Sequence, residues 1–263
     1  MLNLKHFSIN SICLIWLLLT SALFATTPVW AQKFVVGVED VAYCPYFDFA
    51  TSKTSFSKSV LDKFAADTGH SISYVPLPIK QFSKWLYESN VDFKFPDNQR
   101  WQDASESDSR ATYFSDGILY MRAGTVVLAK NKDKPATFFK SLGMITGFYP
   151  TLWLEKIANK QVNILDDTSP KVLVTHLVNG IVDGIDIDIA VANHYLKELN
   201  INQQLAYSSQ LAQEVFSHQL STLKYPETIK QFNQWLADNQ QYINTLKQQF
   251  LIPDVIPAQS QLN

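Results

Sequence analysis

Phe34-Val35-Val36-Gly37-Val38, with Glu39 after it and then a loop holding Tyr43-Cys44-Pro45-Tyr46-Phe47, decides how the rest of the chain is read. The first five residues are β-branched, aromatic or small, which suits a buried strand. A Ser/Thr-rich stretch next supplies an N-cap for a helix that carries Val60, Leu61 and Phe64 on one face and stops at Gly69. Residues 72–75 read as the next strand, a helix with Phe82, Trp85 and Leu86 at core spacing follows, and residues 91–95 make the third strand. Strands alternating with helices predict a parallel sheet covered by helices.

The same alternation starts again after Gly124. Strands are expected at 125–128, 144–148, 162–165 and 185–189, with helices at 152–157 and 172–178 between them. Two βαβαβ series of similar size predict two lobes, although no sequence repeat links them. From Tyr225 to Phe250, the positions Ile229, Phe232, Leu236, Ile243, Leu246 and Phe250 keep helical spacing, so one or two helices should pack back on a lobe.

Lys5, the apolar run 12–19 and the ending Val29-Trp30-Ala31 read as a secretory signal peptide over residues 1–31, cut after Ala31 or alternatively Ala25; an uncleaved anchor is the competing reading. Removing 31 of the 263 residues leaves 232, enough for two lobes. The signal carries one of the 22 Lys and Arg and none of the 24 Asp and Glu, so the remainder has a formal charge of −3. That balance gives no basic face for nucleic acid. Cys13 leaves with the signal and Cys44 stays alone, so stability must come from packing and not from an internal disulfide. No later apolar stretch is long enough to span a bilayer.

Four segments, in order, make the chain resemble the amino-acid-binding solute-binding proteins of ABC importers. They are the opening strand with its Tyr-Cys-Pro-Tyr-Phe loop, Phe114-Ser115-Asp116-Gly117-Ile118-Leu119-Tyr120, Gly143-Met144-Ile145-Thr146-Gly147-Phe148-Tyr149-Pro150-Thr151, and residues 177–188 with Val182-Asp183-Gly184-Ile185-Asp186-Ile187-Asp188 at their end. The resemblance implies an α/β, two-lobed periplasmic-binding-protein-like (type II) fold, each lobe a mainly parallel sheet flanked by helices, with two crossover segments as hinge. It divides the mature chain into 32–125 plus 212–263 for one lobe and 126–211 for the other, with ligand held between them. In open α/β sheets the carboxyl ends of strands and the helix N-termini beyond them do line a crevice.

Candidate ligand-binding residues follow from that placement. Tyr43 and Tyr46 hold the position of the family's ligand-stacking loop, and Asp188 matches the position that commonly receives a ligand ammonium group. A structural hydrogen bond is the other use for a buried Asp188. Asp97, Asn98 and Trp101 lie beyond the third strand, where a proline-fixed turn would present polar groups beside an indole; a plain turn is the alternative. Tyr149 and Thr151 open a helix in the second lobe. Arg110, in Ser107-Asp108-Ser109-Arg110, has the internal spacing of the family's carboxylate clamp but lies closer to Phe114, so clamp and surface arginine both stay open.

No metal site or cofactor is expected. Asp183, Asp186 and Asp188 lack the spacing of a calcium loop, and His70, His176, His194 and His218 are scattered. There is no Gly-x-Ser-x-Gly elbow, no zinc-protease helix and no glycine-rich nucleotide loop, which argues against an enzyme. The expected function is a monomeric periplasmic solute-binding protein for an amino acid or related amine or carboxylate, delivering to a membrane ABC permease. The alternatives are a receptor for a membrane sensor protein and, on the same fold, an exported dehydratase-like enzyme.

Overall fold

The computed structural model describes residues 31–51, 53–101 and 111–255. The expected signal, apart from its last residue, Arg110 and the end of the tail lie outside them. Strand β1 (Lys33–Glu39) buries Phe34, Val36 and Val38 on one face. Helix α1 (Phe56–Thr68) buries Val60, Leu61 and Phe64 and ends at Gly69, whose φ of 72° is the left-handed cap that only glycine adopts without strain. Strand β2 (Ser71–Leu77), a 3-10 turn leading into the short helix α2 (Trp85–Glu88), and strand β3 (Phe93–Asp97) complete the first series.

Strands β4 (Tyr113–Phe114) and β5 (Leu119–Gly124) precede the second sheet. That sheet uses β6 (Val126–Leu128), β7 (Ser141–Ile145), β8 (Asn163–Asp167), β9 (Gly184–Asp186) and β10 (Leu205–Tyr207). Its helices are α3 (Leu154–Ala158), α4 (Pro170–Val178) and α5 (Ile189–Glu198). Strand β11 (Gln213–Thr222) returns to the first sheet, and α6 (Pro226–Asp238) and α7 (Gln240–Gln249) close the described chain.

The expected two-lobed α/β architecture is observed. The first sheet runs β2-β1-β3-β11-β4, with β5 also on β11, and the second runs β10-β6-β9-β7-β8. In each, three strands are parallel (β2, β1, β3 and β8, β7, β9), and the remaining strands add antiparallel. Glycine is forced at Gly184, where a Cβ would sit 2.5 Å from Thr125 Cγ2 as β9 crosses β6. The same threonine accepts a hydrogen bond from Trp153 Nε1 at 2.9 Å, which fixes the indole in the second core.

Three sequence expectations are corrected. The strand expected at 144–148 runs over Ser141–Ile145 and gives way to a turn at Gly147, whose φ is 93°. The strand expected at 185–189 stops at Asp186, because Asp188 turns the chain into a helix: its carboxylate accepts from the Ala190 backbone N–H at 2.7 Å and caps α5. The ten-residue β11 was not anticipated. Its polar run Gln213-Glu214-Val215-Phe216-Ser217-His218-Gln219 hides the alternation of Phe216, His218 and Leu220, and this strand carries the second connection between the sheets. Among the described residues no helix is long and apolar enough to cross a membrane.

Candidate functional site

The carboxyl ends of β1, β3, β7 and β9 and the loops beyond them supply the expected site residues. The structure gathers Tyr43, Tyr46 and Asp188 into one buried cluster. The Tyr46 hydroxyl donates to Asp188 Oδ1 at 2.8 Å, and the Asp188 backbone N–H donates to the Tyr43 hydroxyl at 2.8 Å. Two further groups reach Asp188 Oδ2: the Arg122 backbone N–H at 3.4 Å and the Tyr207 hydroxyl at 3.3 Å. Burial raises the Asp188 pKa, while the donors from Ala190, Tyr46, Arg122 and Tyr207 oppose it. Asp188 is therefore a helix cap saturated by protein donors. Tyr207 and Arg122 were not expected in this cluster.

Asp97 and Asn98 form a separate structural knot. Asp97 pairs with Lys94 Nζ at 3.0 Å and accepts from Ser221 Oγ at 2.5 Å and the Asn98 backbone N–H at 2.8 Å. Asn98 donates to the Ser217 carbonyl at 2.7 Å and accepts from the Arg100 backbone N–H at 2.8 Å. Glu39 joins them from the end of β1. It is buried, its Oε2 has no hydrogen-bond partner, and burial first, then Asp97, push its pKa up to about 8 against the opposing Lys94. The Lys94 ammonium also lies 4.0 Å from the Phe82 ring centroid. Trp101 stands at the rim, its ring against Phe82, Phe216 and His218. Tyr149 is 73% exposed.

A third group spans the lobes. Glu214, half-buried on β11, accepts from Arg100 Nη2 at 2.8 Å and lies 3.5 Å from the Thr151 hydroxyl. Asp186 ends β9 nearby. Burial and then the Glu214 charge raise its pKa to about 7, and among the described residues no cation pairs with it. Asp183, at the other end of the strand, is held by Lys140 and Ser141, so the three aspartates do not converge. Glu214 was missed because its strand was missed. Asp186 had a legible signal: it shares a strand with Asp188 in the sequence reading, but the cap splits the two apart.

This arrangement offers carboxylates at the ends of parallel strands of the two sheets, linked by the Tyr43–Asp188 and Thr151–Glu214 contacts. The fold is that of the two-lobed binding proteins. The chain is similar to the substrate-binding protein of an amino-acid ABC transporter, with 17% identity and a TM-score of 0.64 over 84% of this chain and all of that one. An ABC uptake transporter substrate-binding protein from Streptococcus pneumoniae with bound histidine gives 15% identity and a TM-score of 0.64, covering 86% of this chain and 95% of its own. An ancestral amino-acid-binding protein, described as a precursor of cyclohexadienyl dehydratase, gives 18% and 0.61 over 83% and 95%. No family model matches the sequence, and no curated protein does. At these identities the likeness fixes the fold.

Proposed function

We propose that the protein is a solute-binding protein that captures a small polar solute bearing a positively charged amine between its lobes. It is exported through its signal peptide and presents the closed form to a membrane ABC permease. The observation that carries the ligand class is Asp186, a half-buried carboxylate without a cation partner among the described residues and near a second carboxylate, Glu214. Arg100 already pairs with Glu214, which leaves the Asp186 charge unbalanced, and an ammonium or guanidinium group of the solute balances it. Thr151 and Arg100 flank the pair. The aromatic wall of Trp101 and Phe216 fits the mixture of a few polar groups and apolar surface that such sites use.

The proposal has a pH signature. A cation binds the ionised carboxylate, so affinity should be steady above the Asp186 pKa of about 7 and fall as pH drops below it, by up to about tenfold per pH unit. Asp186→Asn should lower affinity at least tenfold at alkaline pH and flatten the profile. Titration calorimetry with arginine, histidine and putrescine at several pH values measures both. Binding that is unchanged in Asp186→Asn removes the residue from the site.

An enzymatic reading has one observation in its favour: a carboxyl with a pKa of about 7 beside another carboxylate is suited to general acid–base work. The similarity to the dehydratase precursor points the same way. Mass spectrometry of the solute recovered after incubation separates the two readings, because a binding protein returns it unchanged.

A further inference from the structure

The two lobes are tied together by a short segment of the first, residues 42–46, laid on the N-terminus of α5 in the second. Three hydrogen bonds make the contact. Tyr46 donates to Asp188 Oδ1 at 2.8 Å, the Asp188 N–H donates to the Tyr43 hydroxyl at 2.8 Å, and the Tyr195 hydroxyl of α5 donates to the Ala42 carbonyl at 2.6 Å. The rings pack as well: Tyr43 lies 5.7 Å from Phe148, which follows β7, and 5.3 Å from Phe47 of its own loop. Tyr43, Tyr46, Asp188 and Tyr195 are all buried.

We propose that this segment is a built-in latch that ties the two lobes together and takes the carboxylate an incoming ammonium group would seek. The Tyr46 hydroxyl is a neutral donor at Asp188 Oδ1, where the carboxylate also caps α5 through Ala190. With these donors in place Asp188 is shielded, and selection of the solute's positive charge passes to Asp186 and Glu214. A solute that does reach Asp188 must displace Tyr46, and it shifts the equilibrium only by the amount by which it outcompetes the latch. The latch is thus a filter: ligands offering one ammonium group gain little over a tyrosine already seated, and those that also satisfy the Asp186 pair gain more. This consequence for selectivity rests on the proposed binding function, whereas the latch itself does not.

The test therefore needs no solute. Tyr43→Phe, Tyr46→Phe and Tyr195→Phe remove the hydroxyls and keep the rings, and small-angle X-ray scattering reads the open and closed populations of the full mature protein. The parent should scatter as the molecule with residues 42–46 seated on α5. Each substitution should raise the open-to-closed ratio about fivefold, the effect of one ordinary hydrogen bond, so the triple variant should show a clearly larger radius of gyration. A parent that scatters as an open molecule, or a triple variant whose curve superimposes on the parent's, overturns the latch. Should the triple variant fail to fold, as circular dichroism would reveal, Tyr46→Phe alone is compared with its parent on the same criterion. A latch that fails this test leaves the calorimetric test at Asp186 standing, and the reverse holds as well.

Discussion

Raising the pH from 4.5 to about 8 destabilises the fold, and Glu39→Gln removes the Glu39 share of that loss, Asp186 supplying another below pH 7. Glu39 is 5% exposed, and its carboxyl, raised from 4.5 to about 8, keeps its proton in the folded state across a range where the unfolded chain has lost it. The folded protein therefore binds more protons than the unfolded one. The associated stability is fully present below pH 4.5 and drains away as pH climbs through the folded value, by up to about 5 kcal/mol. Lys94 moderates the effect and Asp97 adds to it. On the acid side His218 works in the opposite sense. It is buried among Phe47, Phe95, Trp101 and Phe216 with Nδ1 unpartnered, and burial pushes its pKa down to about 3. Its neutral form stabilises the fold above pH 6.5, and that contribution is lost as pH falls toward 3. Between 4.5 and 6.5 the His218 slope opposes that of Glu39, while Asp186, whose carboxyl is raised to about 7, adds its own loss with rising pH, so stability should fall with pH across this range. Urea midpoints measured across pH for the parent, Glu39→Gln and His218→Phe check this: the glutamine variant should lose the slope between pH 7 and 8 and have a shallower one below it, and the phenylalanine variant should lose the acid slope. An alkaline slope unchanged by Glu39→Gln contradicts the assignment.

Asp188→Ala should cost stability. From the sequence alone this aspartate reads either as a ligand residue or as the acceptor of a structural hydrogen bond. In the structure its carboxylate caps α5 and accepts from the buried Tyr46 hydroxyl. Truncation strands both donors, at about 1–3 kcal/mol for each buried group left without a partner, and the loss of an N-cap alone is worth about 1 kcal/mol. A total near 3 kcal/mol would lower the unfolding temperature by several degrees. Asp188→Asn keeps an acceptor for the Ala190 N–H and should recover about half of the loss. Calorimetric unfolding of the three proteins distinguishes a cap from a residue that only meets solute, since the latter would leave the transition where it was.

The order of strands and helices was legible because β-branched runs and helical spacing are local signals. Gly69 marked the end of α1 for the same reason: a left-handed cap needs glycine whatever surrounds it. β11 was not legible, since it is half-buried along its first part and interleaves Glu214 and His218 with Phe216 and Leu220 at alternating positions. The site was readable as a neighbourhood and not as a set of contacts. Tyr43, Tyr46 and Asp188 do meet, but with each other. Asp97 and Asn98 follow a strand end as expected, yet their polar atoms are spent on Lys94, Ser217 and Ser221. Pairings between residues more than a hundred positions apart leave no periodic trace in a single sequence, and the same is true of the Thr151, Arg100 and Glu214 contacts.

The most direct test of the central claim is thermal unfolding of the mature protein against amino acids, polyamines, dicarboxylates and sugars, with each compound assayed afterwards by mass spectrometry. Capture of a cationic solute predicts a saturable rise in unfolding temperature confined to amine-bearing compounds and recovery of the compound unchanged. Stabilisation by dicarboxylates or sugars alone, or consumption of the stabilising compound, would contradict it.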